Sequence, residues 1–206
     1  MDVRAGRRVA LAVAVAALGI GCSVSDPTRY YVLTSAPGAA GGAGSPGSGA
    51  AVGVGPVSIP EYLDRVQMVT RDGGGRVQIW PYQVWAEPLD QGIMRVLMED
   101  LAAGIPTDRV VAFPWSAAMQ QILQYQVQVS VLRFDGQTGG AVALETRWRL
   151  VGKGGQEIAF RRSTVTEAAG GAGYEPLAAA MSRAVGSLAR EIASEIRAQP
   201  GGAASR

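Results

Sequence analysis

The sequence predicts a single α/β domain, a mixed β-sheet with a long antiparallel meander packed by two main amphipathic helices. Three observations predict it. From Ile122 to Glu167 three alternating runs are separated by short glycine-containing turns, the pattern of antiparallel strands with one buried face. Leu89, Ile93, Val96, Leu97 and Leu101 recur at three- and four-residue steps, and so do Leu177, Met181, Val185, Leu188, Ile192 and Ile196. The 206 residues, 48% hydrophobic and 17% charged, give enough apolar material for one medium core.

Tyr30-Tyr31-Val32-Leu33 opens the folded part as a short strand, on its aromatic and β-branched content. Residues 36–51 contain only Ala, Gly, Pro and Ser, so no side chain there can anchor a core. Such a segment has a typical end-to-end distance of about 20–24 Å. It is either a tether or a surface loop inside the domain. The loop is favoured, because a tether would leave two tyrosines and a leucine exposed just before it.

Val52 to Ile59 reads as a strand whose glycines and Pro56 suit an edge or a bulge. Pro60 to Asp64 is a turn. Gln67 to Arg71 and Arg76 to Trp80 form a hairpin about Gly73-Gly74-Gly75. Pro88 starts the first helix, and Gly104 and Pro106 end it. Val110 to Phe113 is a short buried strand. In the meander Tyr125, Val127, Val129 and Val131 share a face, as do Val142, Leu144, Thr146, Trp148 and Leu150. The third strand, Gln156 to Glu167, carries Ile158 and Phe160, and the turns fall at Asp135-Gly136 and Gly154-Gly155. The helix from Leu177 closes the domain, and residues 200–206 form a disordered tail.

Residues 1–21 read as an address rather than as fold. Arg4, Arg7 and Arg8 precede twelve uncharged residues, Val9 to Ile20, the two parts of a bacterial secretory signal. A helix of that length spans roughly 18 Å, too short for a bilayer core of about 30 Å. The only cysteine, Cys22, follows directly after Gly21, as in the lipobox of bacterial lipoproteins, where the thiol is alkylated with diacylglycerol. Gly19 stands where a lipobox usually has leucine. The other reading is an ordinary signal peptide with a cysteine near its end, and the position of the lone cysteine favours the lipobox. Ser23, rather than aspartate, then permits sorting to the outer membrane. Removing residues 1–21 takes three arginines and one aspartate, leaving 16 of 19 basic and 16 of 17 acidic residues and no net charge. Nothing in that balance supports nucleic-acid binding.

Enzyme classes have little to stand on. With no histidine, Ser-His-Asp and Cys-His catalysis and His-ligated zinc are excluded. One cysteine excludes an intrachain disulfide and a Cys-rich metal site. Glu61 with Asp64 and Glu87 with Asp90 are spaced as carboxylate pairs, but such residues beside a proline are ordinary helix-start charges. The glycines at 53–55 and 73–75 lack the Lys-Ser/Thr and the helix of a phosphate loop. Arg147, Arg149, Arg161 and Arg162 read as the solvated side of the meander, balanced by Glu145 and Glu157. No catalytic residue, metal or cofactor is predicted.

The densest set of stiff residues is Pro56, Pro60, Tyr62, Leu63 and Arg65, followed by Trp85 and Glu87. Prolines and aromatics in a rigid turn make a surface that loses little entropy on binding a partner. The same residues can instead merely shape a strand exit and a helix start, which their types alone favour. As a binding surface its anchors would be Tyr62 and Trp85.

With YYVL after the cysteine, then GVGPVSIPEYLDR, VTR, WAEPL opening a helix and the closing amphipathic helix, the chain resembles the PqiC-type family. These are auxiliary lipoproteins of ABC-type and MCE-type lipid transport systems, and the resemblance runs from Cys22 to about Arg197. It implies a non-enzymatic periplasmic domain held to the outer membrane by acyl chains on Cys22. It also implies docking to an MCE-domain protein that spans the envelope and belongs to an inner-membrane permease system. An α/β sandwich and self-association into a ring are implied as well. The lipobox and the insert at 36–51 depart from the family pattern. The runner-up is a structural envelope lipoprotein that scaffolds a periplasmic complex without handling lipid.

Overall fold

The computed structural model of the chain describes residues 27–35, 49–105 and 107–199. The signal, Cys22, Ser23, most of the Ala/Gly/Ser/Pro segment, Pro106 and the tail lie outside the described residues. Among the described residues no helix is long and apolar enough to cross a membrane.

The meander is present as three twelve-residue strands, β6 (Tyr125–Gly136), β7 (Ala141–Gly152) and β8 (Glu157–Ala168). They are joined antiparallel in sequence order. On the other side of β6 lies β2 (Val52–Ser58), parallel to it, and beyond that β5 (Val110–Ala112). The sheet is therefore mixed, in the order β5-β2-β6-β7-β8. The expected single sheet accounts for these five strands. The strand at the N-terminal side, β1 (Arg29–Tyr31), and the hairpin β3 (Gln67–Arg71) and β4 (Val77–Trp85) form a second sheet, β1-β4-β3. β1 runs parallel to β4, with Tyr30 beside Val84 and Tyr31 beside Trp85.

Two long helices cover one face of the five-stranded sheet. Helix α1 (Leu89–Gly104) has Pro88 at its N-cap, and Ile93, Val96, Leu97 and Leu101 along it are fully buried. The closing helix (Tyr174–Arg197) buries Leu177, Met181, Val185, Leu188, Ile192 and Ile196, the stripe read from the sequence. Small residues let the two helices approach closely. A Cβ on Gly104 would stand 3.0 Å from the Ala193 methyl. The opposing sheet face contributes Val127, Val129, Leu144, Trp148 and Leu150, all 1% exposed or less. A polar tie runs through this contact. Trp148 Nε1 donates to Ser163 Oγ at 2.9 Å, and Ser163 donates to Glu191 at 2.7 Å.

Four local readings change. The short strand expected to be buried at Val110 to Phe113 is β5 at the sheet edge, with Val110 and Val111 half-buried and Ala112 and Phe113 exposed. Ile122 does not begin β6 but ends a short helix, α2 (Ala117–Ile122), capped by Ser116 Oγ, which accepts from the Met119 amide at 3.2 Å. The closing helix is therefore α3. Asp135 and Gly136 are the last two residues of β6, and the chain turns after them, where Gly140 N donates to the Gln137 carbonyl. Phe160 lies on the face away from the helices, half exposed, with the Arg149 guanidinium 5.9 Å from its ring centre. Its neighbours Ala159 and Ser163 take the buried positions.

Candidate partner surface

Strand β2 bulges midway and then resumes its pairing with β6, Val57 beside Val129 and Ser58 beside Ser130, and its sequence shows why. Gly55 has φ +115°, and a Cβ there would stand 2.6 Å from the Phe113 Cβ, so only glycine fits. The Gly55-Pro56 peptide is cis, and the register with β6 shifts between Val54 and Val57. Pro60 then opens one 3-10 turn, Glu61–Leu63, closed by Leu63 N donating to the Pro60 carbonyl at 2.9 Å. Leu63 enters the core.

Tyr62 is held from beneath. Its hydroxyl donates to Asp135 Oδ2 at 2.9 Å, and Arg71 Nε donates to the same oxygen at 2.9 Å. Arg133 Nε donates to Oδ1 at 2.8 Å. The Asp135 side chain is fully enclosed, so these donors replace the water it has lost. The Arg71 guanidinium also lies 5.4 Å from the centre of the Tyr62 ring. Arg65 Nε donates to the Tyr62 carbonyl at 2.9 Å and fixes the turn from outside. Burial lifts the Tyr62 phenol above its ordinary range, and the charge of Asp135 and the bond to it lift it further. Burial works against the Arg71 charge, but its bonds to Asp135 and Tyr62 outweigh this and hold it above its ordinary value.

The WAEPL segment is tied to the same region by its backbone, with Trp85 N donating to the Val66 carbonyl at 2.7 Å. Glu87 Oε1 accepts from Arg95 at 2.5 Å, and the same Arg95 nitrogen donates to the Leu33 carbonyl at 2.7 Å. The bond to Glu87 is the main reason the Arg95 guanidinium is held more basic than usual. Glu87 thereby clips the start of α1 to the exit of β1.

The singled-out residues divide by depth. Pro56 is exposed, and Pro60, Tyr62, Arg65 and Glu87 are half-buried. Trp85 and Leu63 are core residues, 4% and 3% exposed. Trp85 therefore offers a partner no anchor in this arrangement; it supports the segment from within. Glu61 and Asp64 are exposed charges on the turn, while Glu87 is engaged by Arg95. Among the described residues no group of three or more acidic, histidine or cysteine side chains converges as a metal site does. The arginines of the meander are largely paired, Arg149 with Glu157, Arg161 with Glu195 and Arg162 with Glu145.

Asp135 is the residue that sequence reasoning missed. An Asp-Gly pair after an alternating run is a turn signal, and it concealed a buried carboxylate. The one available clue was Arg133, two residues earlier in a strand otherwise rich in core residues, with Arg71 in another such strand.

Residues 31–193 match the family described as ABC-type transport auxiliary lipoprotein component. The chain is 28% identical over 192 residues to the intermembrane transport lipoprotein PqiC of Escherichia coli, a match covering 91% of this chain and 97% of that protein. PqiC of Shigella flexneri matches equally. Among solved structures, one titled only as an uncharacterized protein superposes with TM-score 0.68 at 23% identity, covering 83% of this chain and 99% of that one. A Xanthomonas campestris protein superposes with TM-score 0.61 at 18% identity, covering 80% and 92%. These two likenesses show the fold.

Proposed function

This chain belongs to the family of ABC-type transport auxiliary lipoprotein components, and from that premise we propose that it is the accessory lipoprotein of an intermembrane lipid transport system. In this reading it is held by acyl chains on Cys22 at the periplasmic face of the outer membrane, with Ser23 permitting that sorting. Its domain docks the MCE-domain protein that bridges the envelope from an inner-membrane permease system. Self-association of the domain belongs to the same reading. No catalytic step is assigned to it.

The observation that carries the proposal is the convergence of the motif blocks. GPVSIPEYLDR supplies Tyr62 and Arg65, VTR supplies Arg71, and both meet at Asp135. A loop fixed in this way presents Pro56, Pro60, Tyr62 and Arg65 with little entropy left to lose, which suits a docking surface.

The test is recovery of the tagged full chain from crosslinked envelopes. The proposal expects an MCE-domain protein among the partners, and an N-terminal peptide carrying acyl chains on Cys22. Stable anchoring needs two or more chains, at about 0.8 kcal/mol per buried CH₂. Cys22→Ser should accordingly release the exported protein into the periplasm. A free, unmodified cysteine on a membrane-bound protein contradicts the anchoring, and recovery without any transport component contradicts the docking.

A further inference from the structure

The arginines of the meander do not all find carboxylates. Arg161 turns to the helix side and pairs with Glu195 on α3, while Arg149 and Arg162 pair with Glu157 and Glu145. Arg147 is exposed and pairs with no carboxylate among the described residues. The register sets it directly opposite Arg162 on β8, where like charges repel. Glu145, two residues before it on β7, is already engaged by Arg162 at 3.0 Å and by Arg133 at 4.0 Å. Arg133 joins this face to the Asp135 cluster. Together they set five guanidiniums, those of Arg71, Arg133, Arg147, Arg149 and Arg162, against the three carboxylates of Asp135, Glu145 and Glu157.

Arg147 stands in a row of polar side chains that crosses four strands. Ser58 of β2 lies beside Ser130 of β6, Ser130 opposite Arg147 of β7, and Arg147 opposite Arg162 of β8. All four are exposed, and Trp148 and Ser163, which alternate with the two arginines, take the helix side. Ser58 Oγ donates to Ser130 Oγ at 3.1 Å, which leaves the Ser130 hydroxyl proton for an outside acceptor. Opposed residues on neighbouring strands stand about 5 Å apart, so one anion between Ser130 and Arg147 reaches both. A shallow depression of about 460 Å³ lies over this part of the sheet, lined by Ser130 and Arg147 together with apolar Leu132 and Phe160.

We propose that this depression binds a phosphate ester, the Arg147 guanidinium and the Ser130 hydroxyl donating to its oxygens and Phe160 flanking its organic part. An anion at Arg147 turns the repulsion from Arg162 into two attractions. One guanidinium satisfies both oxygens of a carboxylate, which lie in one plane. A phosphate has further oxygens in other directions, which suits donors arriving from adjacent strands. Such an ester occurs as a lipid headgroup or as a free phosphate ester, and the chemistry recognised is the same. The site rests neither on acylation of Cys22 nor on docking at the Tyr62 rim.

The test is isothermal titration calorimetry on the full mature chain in dodecyl maltoside, at fixed ionic strength. The probes are glycerol 3-phosphate, dihexanoyl phosphatidylglycerol and, as the carboxylate comparison, acetate. The inference expects saturable binding of a phosphate ester, with acetate weaker by about tenfold or more. Arg147→Gln should weaken the ester by about tenfold. It should also melt no lower than the parent, because it loses only the repulsion from Arg162. Arg190→Gln, which removes another exposed arginine without a carboxylate partner among the described residues, should bind as the parent does. Tighter binding of the phosphatidylglycerol than of glycerol 3-phosphate makes the source a lipid headgroup, and equal or weaker binding makes it a free ester. Absence of saturable binding by either ester overturns the inference, as does equal affinity for acetate. So do undiminished binding by Arg147→Gln, a lower melting midpoint of that variant, and an equal loss on Arg190→Gln.

Discussion

Asp135 accepts hydrogen bonds from three side chains that come from the 3-10 turn, from β3 and from its own strand. Its removal would leave the Arg71 guanidinium without its carboxylate and Arg133 with only the longer pairing to Glu145 at 4.0 Å. Breaking a buried pair costs about 3–5 kcal/mol, and the low end applies here because Arg71 and Arg133 can turn to solvent. Asp135→Ala should therefore cost about 3 kcal/mol in denaturant unfolding. Tyr62→Phe removes one bond to a charged acceptor and should cost about 1.5 kcal/mol. It should also change the alkaline limb of the stability profile. The folded Tyr62 phenol is raised above its unfolded value of about 10, so its contribution is present below that pH. As pH rises above about 10 the unfolded chain loses this proton first, and stability falls. Tyr62→Phe should make that fall shallower, measured as melting midpoint against pH. Gly55 was legible as a bulge residue, but its contact with Phe113 was not, because the two lie 58 residues apart on neighbouring strands. Asp135 was not legible for the same reason, since two of its three donors come from positions 62 and 71.

At the scale of elements, the amphipathic helices and the meander were readable because their evidence is local: a repeat of 3.6 or of 2 names its own buried face. Leu188 is fully buried between α3 and its surroundings, and Leu188→Ala should cost roughly 2–5 kcal/mol, seen as a clearly lower melting midpoint. An unchanged midpoint would contradict the packing of α3. Helix α2 escaped because it is one and a half turns long and buries none of its residues, so no periodic signal exists. The Ser116 cap was the only local mark. Phe160 shows the opposite failure. A large apolar residue in a strand reads as core, yet the register with β7 gives the buried positions to Ala159 and Ser163 and turns Phe160 outward.

At the scale of the molecule, the α/β class followed from composition and element count, but the division into two sheets did not. It depends on the parallel pairing of β1 with β4 across more than fifty residues, including the segment of Ala, Gly, Ser and Pro, and no local pattern encodes such a pairing. The same non-local folding separates the motif residues by depth, placing Leu63 and Trp85 behind the surface and Pro56, Pro60, Tyr62 and Arg65 on it. The central claim is that this rim docks a transport partner. Arg65→Glu tests it most directly, because the half-buried Arg65 side chain lies on the rim and donates to the fold at the Tyr62 carbonyl, a single bond to lose. On one preparation of the acylated variant, the melting midpoint and the amount of MCE-domain partner captured are measured together. The account predicts a midpoint within about 3 °C of the parent and capture reduced about tenfold or more, equivalent to about 1.4 kcal/mol. Capture equal to the parent by a variant that melts with the parent would contradict it.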